Sequence, residues 1–346
     1  MDLYVLDTDF NPIGIVDNAS SVIWVPRYYE TGDFEIYIAA SKKALNLLQK
    51  ERYVIRQDSD MVGIIEKISI KTDAELGDYI TVSGRDLKSI LDRRIIWNQT
   101  NLNGKTEVIL RQLINENVIN PTDAARQIPG VILGEIKGFE EVTELQTTGD
   151  NLLTKVIELC KASEIGWKVT LNNKQIVVTF YRGENRSYTQ DVNPYVVFSP
   201  SFDNLLATET IQDITTLKNV ALVAGEGEGT EKKTASAGEA EGLNRREVYI
   251  EASDISSNNG EIDADAYLVL LQERGKEQIA ASVELFGVSG TAETALTYEL
   301  NKDYFLGDTV QVENEYGVSA TTKILEVIEC EDQNGYSVIP TFEEWR

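Results

Sequence analysis

The side chains that could carry chemistry in this chain are mainly carboxylates, because its 346 residues include 57 aspartates and glutamates and no histidine. The missing histidine excludes Ser–His–Asp and Cys–His triads and zinc sites that use histidine. A glycosidase needs two carboxylates at a defined separation in a cleft, which a sequence by itself does not show. We therefore expect no catalytic residue, no cofactor-binding residue and no metal ligand, and we predict that the protein is not an enzyme.

Three short motifs imitate ligand-binding loops. Residues 225–229, GEGEG, have the glycines of a phosphate loop, but they lack its Lys and Ser/Thr and would turn two carboxylates toward the phosphate. Asp58 with Asp60, and Asp263 with Asp265, are spaced like calcium ligands, but neither pair continues into a calcium loop with a central Gly and a terminal Glu. We interpret the three motifs as a hairpin tip, a solvated turn and a helix N-cap.

The remaining candidates are arginines and aromatic residues that could form interfaces. In a chain with a net charge of −25, arginines are expected to pair with carboxylates, and phosphate binding is the alternative. Tryptophans are expected to anchor the core or an interface, and a sugar-stacking role stays open. The candidate interface or structural residues are Trp24, Arg27, Tyr28, Phe34, Arg85, Arg93, Arg94 and Trp97.

Charge and cysteine content limit the possible partners. The excess of 57 acids over 32 bases argues against a protein that grips phosphates, since such binding needs clustered Lys and Arg. Cys160 and Cys330 form no disulfide framework and are expected to be reduced thiols. The acidic start, MDLYVLDTDF, is no secretory signal, and no stretch approaches the roughly 20 apolar residues of a membrane span, so we expect no membrane insertion.

The first 97 residues read as short antiparallel strands, which is typical of a β-barrel or sandwich. Residues 20–40 alternate apolar and polar side chains around Gly32-Asp33, and this pattern predicts a hairpin whose tight turn uses a positive φ at Gly32. Residues 79–97 predict a strand, a break at Gly84 and a short helix.

The rest of the chain mixes helices and strands. Helical spacing predicts helices over about 106–119 and from 149–150 to before Gly166, followed by a hairpin around residues 172–173. Residues 226–241 read as an exposed loop, and residues 263–283 as a helix interrupted at Gly275. Residues 296–346 return to strands with a hairpin turn at 334–335. The predicted fold class is α+β, mainly β.

Several of these stretches resemble a known protein family. Residues 27–36 (RYYETGDFEI), 64–70 (IIEKISI) and 84–96 (GRDLKSILDRRII) are similar to the start of the siphovirus Gp37-like family. These are phage and prophage tail proteins related to the baseplate hub and to the N-terminal part of tail-associated lysins. Residues 195–255 and 296–346 also resemble the family, whereas residues 100–196 match it by element order alone.

The resemblance implies a tail hub-like fold with two β-barrel-like domains. Residues 1–97 would form the first, and residues 98–197 an α+β domain. Residues 198–235 would join 290–346 in the second barrel-like domain, so that strands from about 205–225 lie in one barrel with strands from 308–330. Residues 236–289 would form a helix-containing insertion that packs with the middle α+β domain.

The resemblance also implies a structural tail protein of a long-tailed phage, carried by a prophage. It would be a homotrimeric baseplate hub ring that closes the distal end of the tail tube and attaches tail-tip components. Its partners would be its own copies, the distal tail and tail tube proteins and the tape measure protein, with DNA passing through the lumen without sequence-specific binding. It would lie at the virion tail tip, and in the host cytoplasm during assembly.

Two alternatives come from other classes of function. A tail-associated cell-wall hydrolase would need a further domain, and we expect no room for one after the second barrel-like domain. A carbohydrate-binding adhesin would act through exposed tryptophans.

Overall fold

The computed structural model describes residues 1–73, 77–257, 262–282, 284–292 and 297–342. The fold is mainly β, as predicted. Contacts divide the chain into two compact units, of which the first comprises residues 1–207 with 290–342 and the second residues 208–289. No helix within the described ranges is long and apolar enough to cross a membrane.

The strands, in chain order, are β1 (Leu3–Leu6), β2 (Pro12–Val16), β3 (Ser21–Val25), β4 (Asp33–Ala39), β5 (Tyr53–Ile55), β6 (Val62–Ile64), β7 (Lys67–Lys71), β8 (Tyr79–Arg85), β9 (Thr100–Lys105), β10 (Val131–Leu133), β11 (Val142–Thr147), β12 (Gly166–Asn172), β13 (Gln175–Tyr181), β14 (Val197–Phe198), β15 (Leu205–Asp213), β16 (Val220–Ala224), β17 (Thr234–Ala237), β18 (Glu247–Glu251), β19 (Leu285–Ala292), β20 (Thr309–Glu313), β21 (Ser319–Asp332) and β22 (Gly335–Phe342). The α-helices are α1 (Lys42–Leu47), α2 (Thr106–Ile114), α3 (Leu152–Ala162) and α4 (Ala264–Ala280). A π-helical turn, Asn115–Ile119, continues α2. The 3-10 helices are Leu87–Arg93, Ala124–Arg126, Pro200–Phe202, Gly229–Glu231 and Gly242–Asn244.

The predicted hairpin at 20–40 lies within the largest sheet of the first unit. Its strands follow the order β14-β20-β21-β3-β4-β8-β7, and β22 also pairs with β21. Strand β4 buries Phe34, Ile36 and Ile38 on one face, as its alternating pattern predicts. On the other side of the hairpin, β3 pairs antiparallel with β21 from the far end of the chain, with Ile23 opposite Cys330.

Two glycines, one in the loop before β4 and one in β8, are needed for close packing and not for the turn or the break that the sequence predicts. Strands β3 and β4 are joined by residues 26–32, which form a longer loop than a tight turn. Gly32 is not among the residues with positive φ, but a Cβ there would lie 2.6 Å from the carbonyl oxygen of Val25. Gly84 does not break β8, and its Cβ would lie 1.7 Å from the carbonyl oxygen of Ile64.

The helices and the hairpin predicted after residue 97 share a hydrophobic core with residues before it. Helix α3 and the β12–β13 hairpin form where the sequence predicts them, and α2 ends earlier, at Ile114, in the π-helical turn. Their buried side chains, among them Leu113, Val156 and Trp167, belong to one cluster with Leu87 and Ile90. A second sheet of the first unit, β2-β1-β5-β6, closes a separate core that contains Trp24 and Phe34.

The second unit contains a three-stranded sheet, β17-β16-β18, against which α4 packs. The segment 226–241, which the sequence predicts as an exposed loop, includes strand β17. Ala235 and Ala237 of β17 are buried against α4, and such small side chains give no strong hydrophobic pattern. Helix α4 runs through Gly275 without a break. The position requires glycine because a Cβ there would lie 2.7 Å from the Cβ of Ala237.

The strands between 205 and 225 do not pair with those between 308 and 330. Strand β15 pairs with β19, β16 pairs with β17 and β18, and β20 pairs with β14 and β21. Of these pairs, β16 and β17 are joined by a short segment, whose closure costs little entropy, and they pair antiparallel. The C-terminal hairpin turn at 334–335 is confirmed, with Asp332 opposite Gly335 in the β21–β22 pair.

Candidate functional site

Arg27 fixes the loop between β3 and β4 to the C-terminal strand β21. Its Nη1 lies 2.5 Å from Asp33 Oδ2 and donates to the carbonyl oxygen of Thr31 at 2.9 Å. Its Nε donates to the carboxylate of Glu326 in β21. The guanidinium therefore acts as a local clamp between segments that are about 300 residues apart in the sequence.

Two further candidate arginines also lie beside carboxylates. Arg85 contacts Glu66 Oε1 through Nη2 and Asp92 Oδ2 through Nη1, both at 2.9 Å. The hydrogen bond from Arg85 is the main cause of a lowered pKa of Glu66. Arg93 lies 3.1 Å from Glu51, with both side chains exposed. Such exposed pairs contribute little stability each.

Lys88 is a buried cation that the sequence interpretation missed. Its side chain enters from the 3-10 helix after β8, and Nζ donates to the carbonyl oxygens of Arg27 at 2.6 Å and Glu30 at 2.8 Å. It also lies 5.1 Å from the ring centroid of Trp167. Burial lowers the pKa of Lys88 to about 8 and raises the pKa of its neighbour Asp86 to about 6. The sequence carries a weak signal, a lone Lys inside the apolar run LKSIL.

Trp24, Tyr28 and Phe34 are core residues in the structure. Trp24 and Phe34 are fully buried, with ring centroids 5.7 Å apart, and Trp24 Nε1 donates to Ser59 Oγ at 3.0 Å. The ring of Tyr28 packs against Gly166 and Gly307, where an added Cβ would lie 2.0 Å and 2.2 Å from it. Their burial leaves none of the three available for an external ligand.

A cavity of about 490 Å³ lies beside the 26–32 loop. Asp86, Lys88 and Trp167 line it together with Arg27 and Glu329. Two charged groups on this wall have partners within the protein. Arg27 pairs with Asp33 and Glu326, and Glu329 lies 2.8 Å from Arg56 Nη2. Arg27 and Glu329 on the cavity wall are thus engaged in ion pairs within the chain.

Trp97 and two of the candidate arginines lie together at a surface depression of about 360 Å³. We call it the Trp97 patch, and its members are Arg93, Arg94, Ile95, Trp97 and Arg126. Trp97 is 62% exposed and Ile95 is 40% exposed. The guanidinium carbon of Arg126 lies 5.0 Å from the centroid of the Trp97 ring. This patch combines exposed apolar surface with clustered positive charge.

The backbone holds the patch arginines in place. Arg94 Nε donates to the carbonyl oxygen of Arg126 at 2.7 Å, and Arg126 Nη2 donates to that of Ile95 at 2.7 Å. Partial burial, followed by the nearby charges of Arg126 and Arg93, lowers the pKa of Arg94. Arg126 was not among the residues selected from the sequence, because nothing local shows that the 3-10 helix Ala124–Arg126 meets residues 93–97.

The model of one protein family matches this chain over residues 2–342. The chain belongs to the Siphovirus ReqiPepy6 Gp37-like protein family. This confirms the resemblance that the hairpin, strand and 3-10 helix of the first 97 residues indicate. A search of curated protein sequences finds no significant match.

Solved tail proteins have a similar fold to this Gp37-like chain. The match to the 43 kDa tail protein of prophage MuSo2 from Shewanella oneidensis covers 99% of this chain and 98% of that protein, with 15% identity and a TM-score of 0.62. A tail protein from Neisseria meningitidis MC58 shows 14% identity and a TM-score of 0.60, covering 99% and 96% of the two chains. Prophage tail protein gp18 from Listeria monocytogenes EGD-e shows 13% identity and a TM-score of 0.56, covering 99% and 94%. The Gp37-like chain thus shares its fold with solved tail proteins over 99% of its length.

Proposed function

We propose that this chain is a structural phage tail protein, the baseplate hub that closes the distal end of the tail tube and attaches tail-tip components. The observation that carries this proposal is the coincidence of a family match over residues 2–342 with a tail-protein fold over 99% of the chain. A likeness that spans both compared chains almost entirely supports a shared architecture and not a single borrowed domain.

In this proposal three copies form a ring at the virion tail tip, and assembly takes place in the host cytoplasm. The ring contacts the distal tail and tail tube proteins and the tape measure protein. Residues 1–97 correspond to the first barrel-like domain and 98–197 to the α+β domain. Residues 197–207 with 290–342 correspond to the second barrel-like domain, because β14 pairs with β20, and the second unit, residues 208–289, corresponds to the insertion.

The charge of the chain supports passage of DNA through the ring without binding. With 57 acids against 32 bases, carboxylates are available to line both the lumen and the outer surface. Carboxylates repel backbone phosphates, and at physiological salt this repulsion acts over about 8 Å. Arg27 and Arg85 have carboxylate partners within the chain, which reduces their availability for phosphates.

The test is the mass and shape of the purified protein in solution. Light scattering over a concentration series should give three times the monomer mass of 38.6 kDa, and negative-stain images should show closed rings. A protein that stays monomeric at high concentration would contradict the hub proposal.

A second candidate function, a carbohydrate-binding adhesin, is favoured by one observation. Trp97 is 62% exposed, whereas Trp24 and Trp167 are buried and Trp345 lies outside the described residues. An exposed indole can stack on a sugar ring. Binding to a glycan array that is lost in Trp97→Ala would support the adhesin, and no binding by the wild type would remove it.

A further inference from the structure

The Trp97 patch contains two arginines that form no direct ion pair within the described residues. Most arginines of the described residues form an ion pair with a carboxylate, as Arg27 and Arg85 do. In the same described part of the chain, no ion pair joins Arg94 or Arg126 to a carboxylate. Both guanidinium groups are instead bound to backbone carbonyl oxygens, so neither has a direct carboxylate partner among the described residues.

The acids beside the patch are already engaged. Asp92 and Asp123 line the same depression. Asp92 contacts Arg85 at 2.9 Å, and it also accepts from Asn151 Nδ2 at 3.0 Å. Asp123 Oδ1 caps the following 3-10 helix by accepting from the backbone N of Ala125 at 3.0 Å. The patch therefore has donors to offer to an external carboxylate.

The apolar part of the patch has the composition of an interface centre. Trp and Arg are enriched among residues that dominate binding energy, and Trp97 with Arg126 stacked on it forms such a pair. Ile95 extends the exposed apolar surface beside the ring. The 2.7 Å bonds of Arg94 and Arg126 to the backbone restrict both side chains, so that less conformational entropy is lost on binding.

We propose that the Trp97 patch binds an acidic surface on a second copy of this chain and forms the cationic side of each subunit interface. The inference rests on the proposed ring, and it deepens that proposal by naming the surface. Charge complementarity selects the occupant: every copy carries a net charge of −25, so an acidic partner is present at equal concentration wherever the chain is made. Copies this acidic repel each other, and a basic patch offsets that repulsion locally.

Carboxylates fit this patch better than a polynucleotide does. The patch is one depression of about 360 Å³ with three arginines, and a nucleic-acid strand requires basic groups along its whole path. The guanidinium fork matches the planar carboxylate in a bidentate pair.

Ring geometry gives the proposal a specific consequence. In a closed ring each interface joins two different surfaces, so a patch variant keeps its acidic face intact. Such a subunit can still bind the patch of a wild-type copy, but it cannot continue the ring. Mixed with wild-type protein, it should end assembly at its own patch and produce open dimers and open trimers in place of closed rings.

The experiment measures self-association of the full chain by light scattering and mass photometry. The variants are Trp97→Ala, which removes an exposed side chain, and Arg94→Glu combined with Arg126→Glu. The matched control is Arg245→Glu combined with Arg246→Glu, which changes the net charge equally in the second unit. Circular dichroism and thermal melting verify that each variant folds.

We expect the apparent dissociation constant of self-association to rise at least about 30-fold in Trp97→Ala and further in the charge-reversed patch variant. The control should assemble like the wild type, and the mixture should contain dimers.

Rings of wild-type size in both patch variants would overturn the patch assignment and leave the hub proposal intact. A wild-type dimer that the patch variants dissociate would overturn the ring and keep the patch as the self-interface. A monomeric wild type would overturn both proposals. Intact assembly of the variants with loss of binding to a DNA oligonucleotide or a glycan would assign the patch to that ligand instead.

Discussion

Lys88 organises the loop of residues 26–32 by donating to two of its backbone carbonyl oxygens. Its Nζ reaches the carbonyls of Arg27 and Glu30, and Trp167 Nε1 donates to that of Tyr29 at 2.7 Å. A buried carbonyl without a partner costs about 1–3 kcal/mol. The loop thus keeps its shape through one cation and one indole from other segments of the chain.

We predict that Lys88→Met lowers the free energy of unfolding by about 1–3 kcal/mol at pH 7, because the two carbonyls lose their donor. The difference should depend on pH in a defined direction. The pKa of Lys88 falls from 10.5 to about 8 in the folded protein, so between these values the unfolded chain binds more protons. The wild type should therefore gain stability relative to the variant as pH rises from about 8 to 10.5, by up to about 3 kcal/mol.

Urea unfolding of both proteins across this pH range measures the effect. Lys168→Met, at a half-exposed lysine that pairs with Asp60, is a matched control whose difference from the wild type should not rise in this way. A wild-type advantage that shrinks from pH 8 to 10.5 would contradict the assignment of a lowered pKa to Lys88.

Tyr28 contributes through its ring and not through its hydroxyl group. The ring is buried between Gly166 and Gly307, while the hydroxyl donates over long distances, 3.5 Å to the carbonyl oxygen of Glu164 and 3.4 Å to that of Tyr181. We predict that Tyr28→Ala costs about 3–5 kcal/mol of stability because it leaves a cavity. Tyr28→Phe should cost less than about 1 kcal/mol, since the lost hydrogen bonds are weak. Chemical denaturation compares the two variants, and similar losses in both would show that the hydroxyl matters.

At the scale of elements, the 3-10 helix Leu87–Arg93 joins the core to the surface. Leu87, Ile90 and Leu91 enter the core that contains α2 and α3, and Lys88 reaches the 26–32 loop. Arg93 ends the helix, and the Trp97 patch follows directly. A rigid core element thus presents the exposed residues, which favours a fixed interface surface.

Helix α4 offers a test of packing against intrinsic helix propensity. Alanine favours a helix over glycine by about 1 kcal/mol, so propensity alone predicts that Gly275→Ala stabilises the protein. Its Cβ would, however, lie 2.7 Å from Ala237 Cβ and 3.0 Å from Val223 Cγ2. We predict a net loss of about 1–3 kcal/mol from overpacking. Gln272→Ala, at an exposed position of the same helix, should change stability by less than about 0.5 kcal/mol, and thermal melting of the two variants decides the sign.

At the scale of the whole molecule, the charge of −25 predicts weak binding to nucleic acid. We expect no shift of a 30-base-pair DNA duplex by micromolar protein at 50 mM salt, where screening is weakest. Electrophoretic mobility is the measurement, with a basic DNA-binding protein as the positive control. Binding that weakens steeply with added salt would reveal a basic path and contradict the proposal that DNA passes without binding.

We also predict that the purified protein does not cleave cell walls. The chain has no histidine, and its family and fold support a structural tail role. Zymography on peptidoglycan gels, with a lysozyme lane as the positive control, is the measurement. A cleared band at 38.6 kDa would contradict the prediction and favour the tail-associated hydrolase.

Features that depend on near neighbours could be predicted from the sequence. Alternation over 34–38 predicts β4, apolar spacing predicts α2 and α3, and residues 172–173 and 334–335 give hairpin turns. The family could also be predicted, because its residue pattern lies within contiguous stretches. Charge and the absence of histidine likewise need no coordinates. All of these are properties of local periodicity or of composition.

The way in which distant segments meet could not be predicted and is seen in the folded protein. Nothing near β3 shows that it pairs with β21, and nothing near Arg126 shows that it stacks on Trp97. The burial of Trp24 and the exposure of Trp97 follow from what packs on each, which the residue type does not encode. Gly84 and Gly275 are required by atoms of other elements, Ile64 and Ala237, so local rules predicted breaks where the elements are continuous. Long-range register depends on which surfaces the folded chain buries together, and that free energy is shared among residues far apart in sequence.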